Sequence, residues 1–131
     1  MAAALLPMLC LAVPAAAQSV RATLSKKPWT AVRVKGADLV AEKPATIVFE
    51  PSGRLTGSGG CNRLMGKYTL AGNGSSVRIE QVSSTRLLCP QSVMRAERAL
   101  ISALETAKAI SADRNGRLVL HRDDDILAVF K

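Results

Sequence analysis

Two cysteines bracket the part of the chain richest in residues able to do chemistry. Gly57-Ser58-Gly59-Gly60-Cys61-Asn62-Arg63 stands at one end and Ser84-Thr85-Arg86-Leu87-Leu88-Cys89 at the other. The glycines invite a phosphate-loop reading. That motif needs four residues between its first Gly and a Gly-Lys-Ser/Thr, whereas five residues separate Gly60 from Gly66-Lys67 and Tyr68 follows. Both the spacing and the magnesium-binding hydroxyl fail. Gly57, Gly59 and Gly60 are better read as a bulged strand end where backbone passes close to a neighbour. A nucleophile elbow fails as well, because Thr56 stands where GxSxG requires Gly.

His121 precedes Arg122-Asp123-Asp124-Asp125 and is the chain's single histidine. As a base or ligand it would need a nucleophile or further donors from elsewhere, and a solvated hairpin end is the simpler fate of the acidic run. Calcium loops alternate acidic ligands with spacers and Gly, which this run does not. One His and three Cys are also too few for a Cys/His zinc site. No catalytic residue, metal ligand or cofactor is therefore assigned. Asn62, Arg63, Thr85 and Arg86 flank the two cysteines. Asn62 and Thr85 have side chains suited to capping turn backbone. Arg63 and Arg86 fit either a structural role or a small anion-recognising patch.

The amino terminus sets the compartment for this chemistry. Residues 1–17 carry no charge, run apolar from Ala2 through Val13 and end in Pro14-Ala15-Ala16-Ala17. The run is too short and too interrupted by Pro7 and Pro14 for a spanning helix, which needs about 20 apolar residues. A secretory signal cleaved after Ala17 is the expectation, although the usual basic residue at its start is missing. Lipid attachment at Cys10 is not expected, since Pro7, Met8 and Leu9 do not supply the motif that directs it. Cleavage leaves Cys61 and Cys89 alone in an oxidising compartment, where an even pair is most simply one disulfide. A loop of this length gives roughly 3 to 4 kcal/mol in the chain-entropy model, against about 5 to 15 kcal/mol for a whole domain.

The elements that must position these residues are mostly short and β-like. Gln18 to Lys27 is polar and reads as a flexible leader, and the domain is expected to span 28–131. Strands are expected over 29–34, 46–49, 54–58, 63–70 and 76–82, with Val77, Ile79 and Gln81 sharing one face. Gly72-Asn73-Gly74 is a hairpin signal between the last two. One helix follows Pro90, over about residues 91–108: Val93, Ala96, Leu100, Ala103, Leu104 and Ala107 recur at steps of three and four, with Glu97 placed elsewhere on the wheel. Residues 117–121 and 126–130 return to β. The fold class is α+β: six to eight antiparallel strands in a curved sheet or small open barrel, with one packing helix.

At this point several ordered motifs carry a resemblance. GCNR at 60–63, Gly66 with Tyr68, and Thr85-Arg86 with Cys89 resemble the signature of the META domain, or HslJ-like, family. Trp29, Pro44 to Phe49, Glu97 with Leu100 and Leu104, and Arg117 to Leu120 fall in the family's order. The resemblance covers about residues 28–131. It implies an α+β fold, an exported or envelope location and a link to heat shock and stress tolerance. It implies no reaction.

Lys plus Arg outnumber Asp plus Glu by 18 to 10, giving a net charge of +8, all of it beyond residue 17. The four aromatic side chains, Trp29, Phe49, Tyr68 and Phe130, are a poor supply for stacking bases, so no nucleic-acid partner is expected. The chain reads as a non-enzymatic, monomeric binding or stabilising module, periplasmic or secreted, whose partner is an unidentified envelope protein or an amphiphile. A lipid or amphiphile carrier is the second reading, and an anionic membrane surface would suit the excess positive charge.

Overall fold

The computed structural model describes residues 3–5, 7–9, 15–25, 27–72 and 75–131. Much of the expected signal segment, with Cys10, therefore lies outside the described residues, as do Lys26, Asn73 and Gly74. The order of elements is α1 (Ala15–Leu24), β1 (Trp29–Val34), β2 (Thr46–Phe49), β3 (Arg54–Ser58), β4 (Arg63–Ala71), β5 (Ser76–Ser84), α2 (Gln91–Thr106), β6 (Ala109–Ala112), β7 (Leu118–Arg122) and β8 (Asp125–Phe130). Each strand pairs antiparallel with the next, and β8 returns to pair with β1. The expected curved α+β sheet is present, and its two ends meet. The β1–β8 pairing covers the outer edges of the first and last strands, which blunts recruitment of another chain there.

The seams differ in strength. β3 and β4 share five consecutive partners from Arg54↔Lys67 to Ser58↔Arg63. β5 and β6 meet at the single pair Ser76↔Ala109, extended by Val77 N donating to the Lys108 carbonyl at 3.0 Å and Ile110 N donating to that of Ser75 at 2.9 Å. β6 went unread in the sequence because Ala109-Ile110-Ser111-Ala112 offers one large apolar side chain, and the helical period absorbed the residues just before it. α2 accordingly ends at Thr106.

Alternation fills the interior. Trp29, Ile47, Phe49, Leu55, Leu64, Leu118, Leu120 and Phe130 are each at most 2% exposed and form one cluster with Leu100 and Leu104 of α2. Phe49 meets Tyr68 edge-on, with ring centroids 5.0 Å apart. α2 lies against β5, β8, β1 and β7. The alternation slips in β5. Val77 and Ile79 are buried, but Gln81 adopts φ 55° and is exposed. The register shifts there between Met65↔Ser83 and Lys67↔Glu80, so β5 carries an extra residue opposite Gly66. That is a β-bulge, and it breaks the expected face of Val77, Ile79 and Gln81.

The leader also differs from expectation. Within 18–27 the chain is helical through Leu24, whose side chain is 1% exposed in the core, with Val20 packed behind it. Trp29 Nε1 donates to the Leu24 carbonyl at 3.1 Å. This bond and the burial of Leu24 set the end of α1 against the indole that opens β1. Two apolar residues four apart were too short a period to read as a helix.

Candidate functional site

The strand end, the 84–90 segment and the start of α2 converge on Asn62. Cys61 and Cys89 form the disulfide expected of them, with Cα atoms 6.4 Å apart, within the range such a bond spans. The bond ties the β3–β4 turn to the residue before Pro90, which is the N-cap of α2. Pro90 suits that place because its fixed φ fits and its missing N–H leaves no donor unsatisfied.

Asn62 is buried at 7% exposure and uses its whole hydrogen-bonding capacity. Its Nδ2 donates to Glu97 Oε1 at 2.7 Å and weakly to Cys89 Sγ at 3.9 Å. Its Oδ1 accepts from Leu87 N at 2.7 Å and from Thr85 Oγ1 at 3.0 Å. Two donors and two acceptors are what an amide side chain possesses. Its backbone N–H donates to Glu97 Oε2 at 2.9 Å, and Arg63 N donates to Thr85 Oγ1 at 3.0 Å. One side chain therefore fixes the shape of two loops and the seat of a helix.

Glu97 is the residue that the sequence reading misplaced. It is 4% exposed, on the buried face of α2 beside Val93, Ala96 and Leu100. A carboxylate costs free energy to bury unless donors reach it, and both Glu97 oxygens receive an Asn62 N–H. Gly59 makes the space: a Cβ there would stand 2.3 Å from Glu97 Cγ. Gly60 has φ +114°, and its Cβ would stand 2.8 Å from the Lys43 carbonyl oxygen. The glycine run is a close-approach device at these two positions. The signal for Glu97 was available, as an acidic residue one step from Ala96 and three from Leu100 lies at the margin of the apolar stripe.

Arg63 and Arg86 come near each other through the backbone pairing of Arg63 with Thr85, and both side chains are exposed. Beside them a groove of about 380 Å³ runs between the 84–88 segment and α2. Thr85, Arg86, Leu87 and Leu88 line one wall; Met94, Arg98 and Ile101 line the other, with Asn62 and Glu97 among the lining residues. Leu87 is 60% and Leu88 98% exposed. His121 lies elsewhere, on β7, with Nδ1 3.3 Å from the Asp123 carbonyl oxygen. Asp125 pairs with Lys35. Among the described residues no three His, Cys, Asp or Glu side chains are grouped to hold a metal ion.

Comparison with known proteins agrees with this architecture. An NMR structure of a protein from Burkholderia xenovorans is similar, with TM-score 0.69 and 20% identity over 98% of this chain and 97% of that one. A second NMR structure has TM-score 0.61 and 19% identity, covering 84% of this chain and 92% of the other. At these identities the likeness is one of fold. No curated protein matches. The META domain model matches residues 22–131, beginning before the expected boundary at 28 and so taking in the buried Leu24. That match spans every strand and both of the elements that the disulfide joins, and the chain belongs to the META domain family.

Proposed function

We propose that the protein is an exported, non-enzymatic binding module of the bacterial envelope, linked to stress tolerance. The observation that carries this reading is how the polar side chains of the GCNR and Thr85-Arg86 motifs are used. Asn62, Thr85 and Glu97 are consumed in holding two loops and a helix together, while the surface they shape presents leucines and arginines to solvent. Such a surface suits recognition. Export is supported by the uncharged apolar amino terminus and by the Cys61–Cys89 disulfide, a bond that persists in oxidising compartments.

The carrier reading is favoured by one feature, the groove beside Leu87 and Met94. The space enclosed by the strands is filled by Trp29, Phe49, Phe130 and their neighbours, so an amphiphile would have to lie on the surface. Cell fractionation with amino-terminal sequencing, followed by assay of the purified protein on esters, phosphates and glycosides, tests the leading reading. It predicts a processed protein outside the cytoplasm with no turnover. Turnover that disappears in His121→Ala would overturn it.

A further inference from the structure

We propose that the Leu87-Leu88 tip is a membrane-docking wedge that enters the interface of an anionic bilayer. This rests on the binding-module reading and names its partner. Two consecutive leucines, 60% and 98% exposed, are an unusual cost to leave in water on so small a domain. Their backbone is not free to fold them inward. Asn62 Oδ1 holds Leu87 N on one side, and the Cys61–Cys89 bond holds the next residue on the other. The tip is therefore preorganised, and docking orders little that is not already ordered.

Charge selects the kind of surface. Arg86 and Arg98 line the groove behind the tip, and Arg63 lies one backbone pairing away; all three are exposed. The first turn of α2 carries no acidic residue, and the carboxylate among the lining residues, Glu97, is buried and bound to Asn62. An apolar tip with arginines behind it fits anionic headgroups with acyl chains beneath them. The 98% exposure of Leu88 separates this from a groove ligand. A molecule lying between the 84–88 segment and α2 would meet only the part of Leu88 that lines the groove, whereas an interface buries the whole exposed side chain.

The test is vesicle co-sedimentation of the exported protein, with parent and variants carrying the same amino terminus so that any leader contributes equally. Vesicles of phosphatidylglycerol mixed with phosphatidylcholine are compared with phosphatidylcholine alone. Binding to the anionic vesicles is expected, weakened by salt. Leu87→Gln/Leu88→Gln should lower it about tenfold or more at unchanged Tm, and Arg86→Ala and Arg98→Ala about fivefold each. No binding to either vesicle, or binding indifferent to the leucine pair, overturns the wedge. Monomeric short-chain phosphatidylglycerol bound as tightly as vesicles would replace it with a carrier groove, and a protein partner that requires the same leucines while vesicles do not bind would replace it with a protein interface. An exported, catalytically silent protein that ignores vesicles would leave the binding-module reading standing.

Discussion

At the scale of single residues, Asn62 and Glu97 hold the two loops and α2 together. Removing either side chain strands buried groups of the other, so Asn62→Ala and Glu97→Ala should each destabilise by about 2 to 4 kcal/mol in urea unfolding. The double variant should cost less than the sum, with a coupling of about 1 to 3 kcal/mol, and strict additivity would contradict the hub. Gly59→Ala drives a methyl into Glu97 Cγ and should cost about 1 to 3 kcal/mol. Asn62 was legible as a loop-capping residue because amides bond nearby backbone. Glu97 was legible only in its place at the margin of the apolar stripe, because a helical wheel assigns charge to solvent and the tertiary partner at Asn62 reverses that.

Tyr68 offers a titration at the same scale. Burial raises its pKa above 10.0, a hydrogen bond from Ser25 opposes the shift, and the Glu50 charge adds to it. Its hydroxyl donates to the Glu50 carbonyl at 2.5 Å. The fold favours the neutral phenol, so this contribution is present below the unfolded value and is lost as pH rises through the higher folded one. As the chain has one tyrosine, phenolate absorbance reads it alone. The midpoint should exceed that of the urea-unfolded chain, and an equal or lower midpoint would contradict the burial.

At the scale of elements, the disulfide and α1 carry the testable content. Cys61→Ser, Cys89→Ser and the double variant should each lose about 2 to 4 kcal/mol, a fall in Tm on the order of ten degrees, with the singles matching the double and reductant matching both. Leu24→Ala should cost about 2 to 4 kcal/mol, because its side chain is core; a flexible leader would show no change. Strands such as Thr46–Phe49 and Leu118–Arg122 were legible because β-branched and alternating residues leave a period-two trace. α1, β6 and the Gln81 bulge left none. α1 shows two large apolar side chains, β6 one, and the bulge exists only as an offset between β4 and β5.

At the scale of the whole molecule, the closed ring of strands, the helix seated by Asn62 and the disulfide across it make a rigid frame. The described helices include none long and apolar enough to cross a membrane. The wedge proposed for Leu87-Leu88 concerns the surface of a bilayer. The candidate site was legible only in part, since GCNR and Thr85-Arg86 marked where the chain is tied together. The leucines between Arg86 and Cys89 became informative once their exposure was known.

The proposal that this frame is exported and oxidised is checked by intact-mass spectrometry of the protein recovered from the cell envelope without reductant. The predicted result is a chain beginning at Gln18 whose mass is short by the hydrogens lost in the Cys61–Cys89 bond and which takes up no thiol label until reduced. A chain that keeps its amino terminus, with both thiols free to react in the native fold, would contradict it.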